Sequence, residues 1–271
     1  MRLTERGERY VVYDDFLPPE EFERAVELME RSSLAETQSV ISPAKDGPAH
    51  RTRGMSFSAS FGEGTISGRP VVFTHIAQAV RTETDLFGHA GRDWNRLTFT
   101  FWQYPADSRL GWHNDAGRGR RGEYIVYLHR QWDISWGGEL LLIDREPRAL
   151  LEAAGASVAE LTGAGPQAVL NEVLRSCEIS PLAVLPRPNR LVLVKSDTVH
   201  TVLRVDRTAG ASRRCTLTGF VYDDGALARG SATGRDLVQH SLLGSPGRRA
   251  GLPLEVLAGP PARLDLEAGH R

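Results

Sequence analysis

Five short β-rich runs between about residues 94 and 222 constrain this chain more than any other feature. They read RLTFTFWQYP (96–105), GEYIVYLH (122–129), GELLLID (138–144), NRLVLVKSDTVHTVLRV (189–205) and RRCTLTGFVY (213–222). Each is dominated by β-branched, aromatic or aliphatic residues and bounded by glycine, proline or asparagine, the signature of an all-β core. The stretch 146–186 interrupts them. RALLEAAGASVAELTG and PQAVLNEVLRSCE have helical spacing, so this segment reads as a helical insertion between core strands rather than a long structureless loop.

The N-terminal part has another character. YVVYDDFLPPEEFERAVELME reads as a strand, a turn at Pro18-Pro19 and a helix carrying Phe22, Ala25, Val26 and Met29 on one face. VVFTHIAQAVRTETDLFG predicts a second helix. Residues 32–68 read as irregular and polar, with SPAKDGP and SFGEGTISGRP as loop signals, and the tail after 223 as partly ordered. The expected organisation is one domain over 1–271: support at 1–94, a core at 95–222 with its insertion, and an extension at 223–271.

Composition excludes several classes. With 41% apolar residues in 271, a sizeable core is available, and a formal charge of −1 offers no global field for nucleic acid. Cys177 and Cys215 form neither a Cys-x-x-Cys pattern nor a disulfide framework. No run approaches 18 apolar residues, and MRLTERGERY lacks the apolar stretch of a signal peptide, so the expectation is a cytoplasmic protein with no membrane partner.

GWHNDAG (111–117) carries the first chemistry. On a strand, residues i and i+2 point the same way about 7 Å apart, so His113 and Asp115 can face one cavity with Asn114 turned away. His200, 87 residues on in KSDTVHTV, is the candidate third ligand. Two imidazoles and a carboxylate on one face of a metal are the facial triad of non-heme Fe(II) oxygenases. Taken singly, either histidine reads as an ordinary surface or core residue. A zinc site also uses His and Asp, and a cupin-type dioxygenase a comparable triad. Fourteen residues after His200 stands Arg214. On a neighbouring antiparallel strand its planar guanidinium can enter the same cavity and match a carboxylate bidentately. Arg213 and Arg214 face opposite ways, and both also read as solvated edge charges.

Together these segments resemble the prolyl 4-hydroxylase-like branch of the Fe(II)/2-oxoglutarate oxygenases over roughly 95–222. Tyr104 lies nine residues before His113, YLHRQW resembles a Tyr-Leu-Asn-x-x-Trp segment, WGGELLL matches Gly-Gly-Glu-Leu, and RCTLTGF resembles Arg-x-Ser-Leu-Thr-Gly-Trp, which selects Arg214. His129 and Lys195 depart from the family's Asn and Pro. The resemblance implies a mainly β fold, a double-stranded β-helix or jelly roll of cupin type with flanking helices. It implies that His113, Asp115 and His200 bind Fe(II), that Arg214 pairs with the distal carboxylate of 2-oxoglutarate, that Tyr127 and Thr216 assist, and that Tyr104 lines the pocket. It implies a dioxygenase that consumes 2-oxoglutarate and O2, chelates the cosubstrate at the metal and releases succinate and CO2.

Because Asp115 occupies the carboxylate position, hydroxylation is expected over halogenation. The expected substrate is a small molecule, an amino acid or a derivative of one. Peptidyl-prolyl hydroxylation is the alternative, and a zinc hydrolase or a non-catalytic jelly-roll binding module the alternative from another class. Arg118, Arg120 and Arg121 in GRGRRGE (117–123) read either as an attractor for an anionic substrate group or as a solvated turn.

Overall fold

The computed structural model describes residues 1–58, 70–117, 119–154, 166–176 and 178–225. Thirteen strands in these residues form two antiparallel sheets. The larger runs β1(Arg2–Arg6), β2(Tyr10–Asp14), β11(Leu191–Lys195), β8(Arg120–Tyr127), β13(Arg214–Tyr222), β6(Arg96–Tyr104), β4(Pro48–Arg51) and β3(Ala35–Gln38), with β5(Met55–Ser58) also paired to β6. The smaller runs β10(Leu182–Val184), β9(Leu140–Leu142), β12(His200–Val202) and β7(Leu110–His113). This mainly β, two-sheet arrangement is the expected jelly roll.

The central strands of the large sheet, such as β2, β8 and β11, are apolar on both sides because both sides are covered. Val11, Tyr124, Val126, Leu191, Leu193, Leu217 and Val221 pack outward against α1(Pro19–Glu30) and α3(Val71–Thr82), through Phe22, Val26, Phe73 and Ile76. Their alternates, Tyr10, Val12, Ile125, Tyr127, Val192 and Val194, point inward and meet Leu140, Leu142, Val184 and Val202 of the small sheet. The period of two therefore fixes which residues reach the interior. On β8 these are the odd-numbered residues up to Tyr127; on β13, Arg214 and Thr216 lie opposite in phase to the outward Cys215 and Leu217.

Several expectations are corrected. The second helix stops at Thr82, and Glu83 separates it from α4(Thr84–Phe87). Within 32–58, β3, α2(Pro43–Asp46), β4 and β5 replace the irregular segment as short pieces at the sheet margin, the strands held by pairing with one another and with β6; most of SFGEGTISGRP lies outside the described residues. β1 lies in the charged N-terminus. The insertion contains α5(Pro147–Ala154) and α6(Pro166–Ser176), but 182–184 is strand β10 of the small sheet. Leu150, Leu170 and Val173 of these helices pack with Val199 and Trp112, the residues just before His200 and His113. Cys177, Arg118 and the tail from 226 lie outside the described residues.

Candidate metal centre

His113 closes β7 and His200 opens β12, and the two residues sit directly opposite one another in the antiparallel ladder. Their ring centroids are 4.2 Å apart. Each ring is oriented by its own backbone: Nδ1–H of His113 donates to the Gly111 carbonyl at 2.7 Å, and Nδ1–H of His200 to the Thr198 carbonyl at 2.9 Å. A carbonyl only accepts, so Nδ1 of each ring carries a proton and Nε2 is the nitrogen turned to the cluster. Both Nε2 atoms face Asp115 Oδ2, at 3.8 Å from His113 and 3.6 Å from His200. Burial, reinforced by His113, drives the His200 imidazole down to about 4 against the pull of Asp115. It is therefore neutral at pH 7, the form that binds a metal.

Asp115 reaches this point differently from the strand expectation. β7 ends at His113, so Asp115 lies on the following loop, and Asn114 does not turn to solvent. Asn114 is buried, and its amide makes no hydrogen bond among the described residues. Arg120 fixes the acid instead: Nη1 donates to the Asp115 carbonyl at 3.1 Å and lies 3.4 Å from Oδ1. Its Nε donates to the Tyr222 hydroxyl at 3.0 Å, and its guanidinium stacks 4.0 Å above the Phe220 ring. Burial works to raise the Asp115 carboxyl, but His113, His200 and Arg120 together hold it below the ordinary carboxylate range. Arg121 donates to the Asp93 carbonyl and to Asp223 Oδ2, both at 2.9 Å. Both described arginines of the GRGRR run are thus engaged within the chain.

Arg214 enters from the other sheet. β13 pairs with β6 and β8, not with the strand of His200, so the guanidinium reaches the interior across the sandwich and not from a neighbouring strand. It is buried; Nε donates to the Gly138 carbonyl at 2.8 Å and Nη2 to the Tyr127 hydroxyl at 3.2 Å. No acid among the described residues forms an ion pair with it. Arg213, one residue earlier, bonds Gln103 at an exposed position, as alternation requires. Thr216 is opposite Tyr127 in the ladder, and its buried hydroxyl has no hydrogen-bond partner among the described residues. Tyr104 is opposite Arg214 and stacks on Trp102, and burial pushes its hydroxyl up to about 12. Gly137 and Gly138 adopt φ of 67° and 73°, a turn that aims the Gly138 carbonyl at Arg214.

The sequence reading missed Glu123. It lies on β8 in phase with Tyr127 and is buried, with Oε1 3.3 Å from His200 Nε2. Burial, and then Asp115, hold its carboxyl well above the usual range. The alternation of GEYIVY carries the signal that could have found it.

The donor set suits a divalent metal: two imidazole nitrogens and one carboxylate, with ligand atoms all within 4.8 Å of one another. The second cluster suits a dicarboxylate: a buried guanidinium without an acid, a tyrosine hydroxyl and an unpartnered threonine hydroxyl.

Residues 99–222 match the family model described as the 2OG-Fe(II) oxygenase superfamily. No curated protein matches the sequence. Among solved structures, a prolyl-4-hydroxylase from Pseudomonas putida aligns with a TM-score of 0.52 at 14% identity, covering 80% of this chain and 94% of that one. A prolyl hydroxylase from Trichoplax adhaerens, solved with a hypoxia inducible factor peptide fragment, aligns with a TM-score of 0.50 at 15% identity over 83% of this chain and 88% of that one. An oxidoreductase of the 2OG-Fe(II) oxygenase family from Burkholderia pseudomallei gives 0.50 at 16% identity, with 82% and 93% covered. At such identities these likenesses speak to the fold. Among the described residues no helix is long and apolar enough to cross a membrane. The matched segment contains the His-Asp-His cluster on a jelly-roll frame, so over residues 99–222 this chain is similar to the 2OG-Fe(II) oxygenase superfamily.

Proposed function

We propose that the protein hydroxylates an unactivated C–H bond of a small molecule, an amino acid or an amino-acid derivative, with release of succinate and CO2. His113, Asp115 and His200 hold the iron; Arg214 takes the distal carboxylate of 2-oxoglutarate, with Tyr127 and Thr216 completing its hydrogen bonds. Tyr104, within electrostatic reach of both Arg214 and Asp115, lines the space between the two clusters. Bound there, iron supplies the oxidising chemistry that no side chain of this site has. The chain's own contribution is positional: backbone carbonyls orient both imidazoles, Arg120 orients Asp115, and Gly138 and Tyr127 orient Arg214.

The observation that carries this reading is the buried Arg214 guanidinium without an acid partner. Burying a cation unpaired is costly, and a zinc hydrolase has no general need for it. A carboxylate-bearing cosubstrate offsets that cost.

Succinate formation tests this. The iron-loaded enzyme is to be screened with 2-oxoglutarate and O2 against amino acids, their derivatives and proline-containing peptides. Stimulation by amino acids or derivatives and not by peptides is expected. Stimulation by the peptides alone would overturn the substrate class.

A further inference from the structure

We propose that Glu123 is a fourth protein donor to the metal in the cosubstrate-free enzyme, and that it gives up this position when 2-oxoglutarate binds. The inference rests on the His113–Asp115–His200 reading above and adds to it.

Three observations carry it. First, position: Glu123 points inward from the large sheet, on the face of β8 that also carries Ile125 and Tyr127, and meets the small sheet at the metal cluster. Second, distance: its Oε1 is 3.3 Å from His200 Nε2, closer to that nitrogen than Asp115 Oδ2 is at 3.6 Å. Metal–ligand bonds of about 2.1 Å place adjacent donors of a six-coordinate ion about 3 Å apart. The spacing of Glu123 from His200 is thus that of a neighbouring donor. Third, partners: Glu123 is buried, and no lysine or arginine among the described residues forms an ion pair with it, the nearby Arg120 being committed to Asp115 and Tyr222. Glu123 also lies within hydrogen-bonding reach of the Asp115 carboxyl, so its side chain touches two of the three ligand residues at once.

The count of positions gives the second half of the proposal. Three protein donors leave three positions on a six-coordinate ion, two for chelating 2-oxoglutarate and one for O2. A fourth protein donor occupies one of these, so cosubstrate binding has to release it. Glu123 therefore strengthens metal retention in the resting enzyme and competes with 2-oxoglutarate.

Mn(II) is the probe, because it binds such sites without redox chemistry. Its affinity is read from the electron paramagnetic resonance signal of free Mn(II), and 2-oxoglutarate binding to the Mn(II)-loaded protein from tryptophan fluorescence. For E123Q, Mn(II) affinity is expected to fall roughly tenfold or more, while 2-oxoglutarate binds the Mn(II)-loaded variant several-fold tighter than it binds the parent. Unchanged Mn(II) affinity would overturn the proposal, and weakened Mn(II) binding without tighter 2-oxoglutarate binding would overturn the displacement. If E123Q does not fold, E123D keeps the acid but shortens its reach, and weaker Mn(II) binding is expected there too; parent-like binding in E123D would then overturn it. H200A is measured alongside. If H200A also binds Mn(II) like the parent, the ligand reading beneath the proposal is what fails.

Discussion

Arg120 holds Asp115 at two points, donating to its backbone carbonyl at 3.1 Å and approaching its carboxylate Oδ1 at 3.4 Å, so that Oδ2 is left facing both imidazoles. This replaces the rigidity that a strand would have given an acid standing on a loop. R120A is expected to weaken Mn(II) or Fe(II) binding by about 10- to 100-fold, the usual scale for a residue that orients a ligand. R120K keeps the charge but not the fork that stacks on Phe220 and bonds Tyr222, so it should recover only part of the loss. R121A, which loses bonds to Asp93 and Asp223 only, serves as the control and should bind metal like the parent. Isothermal titration under anaerobic conditions reads all three.

Gly138 has a role beyond making a turn. Its φ of 73° is unfavourable for any residue with a Cβ, and a Cβ placed there would lie 3.0 Å from Arg214 Cδ and 3.4 Å from Trp132. The same residue's carbonyl accepts from Arg214 Nε. G138A is therefore expected to shift the guanidinium and raise KM for 2-oxoglutarate roughly tenfold, the scale of one weakened charge-assisted hydrogen bond. Metal affinity should stay near the parent value, since no ligand touches this turn. Steady-state kinetics with varied 2-oxoglutarate, beside an Mn(II) titration, separates the two effects.

His129 makes folding pH-dependent. Burial pushes its imidazole down to about 4 despite the Pro186 carbonyl to which its Nε2–H donates. The ring is neutral in the fold, with Nδ1 accepting from the Cys215 amide. In the unfolded chain the value is about 6.5. Between these values the unfolded chain binds more protons, so stability rises with pH across this window. The contribution is complete above about pH 6.5 and is lost as pH falls towards 4, by roughly 3 kcal/mol from this group. Denaturant unfolding of the metal-free protein between pH 4 and 7 should show that slope, with H129Q shallower. A H129Q profile as steep as the parent's would contradict it.

Residues differ in how plainly the sequence announces them. The inner strands were legible because strands buried on both faces read as β-branched and aromatic runs, as LVLV at 191–194 does. β1 was not, since all five of its residues are exposed and only its pairing with β2 makes it a strand. β3, Ala35–Gln38, is mostly exposed too and is a strand by its pairing with β4. His113, His200 and Arg214 were legible from spacing and motif. The sheet from which Arg214 reaches inward was not, because strand order is a property of the whole fold. Asp115 was placed on a strand because strand ends are set by tertiary pairing, which i, i+2 spacing does not encode. Glu123 went unread because an acid in a run of basic and glycine residues looks solvated until the alternation through Tyr127 is followed.

The most direct test of the assigned site is an anaerobic titration of the protein with Fe(II) and 2-oxoglutarate, followed by visible absorption. The expected result is a weak charge-transfer band that requires both additions. It should be lost in H113A, D115A and H200A, and in R214A should appear only at 2-oxoglutarate concentrations at least tenfold higher, as expected when a charge-assisted bidentate pair is removed. A band of parental strength in any of the three ligand variants, or an R214A titration superimposable on the parent's, would contradict the assignment of these residues to iron and cosubstrate.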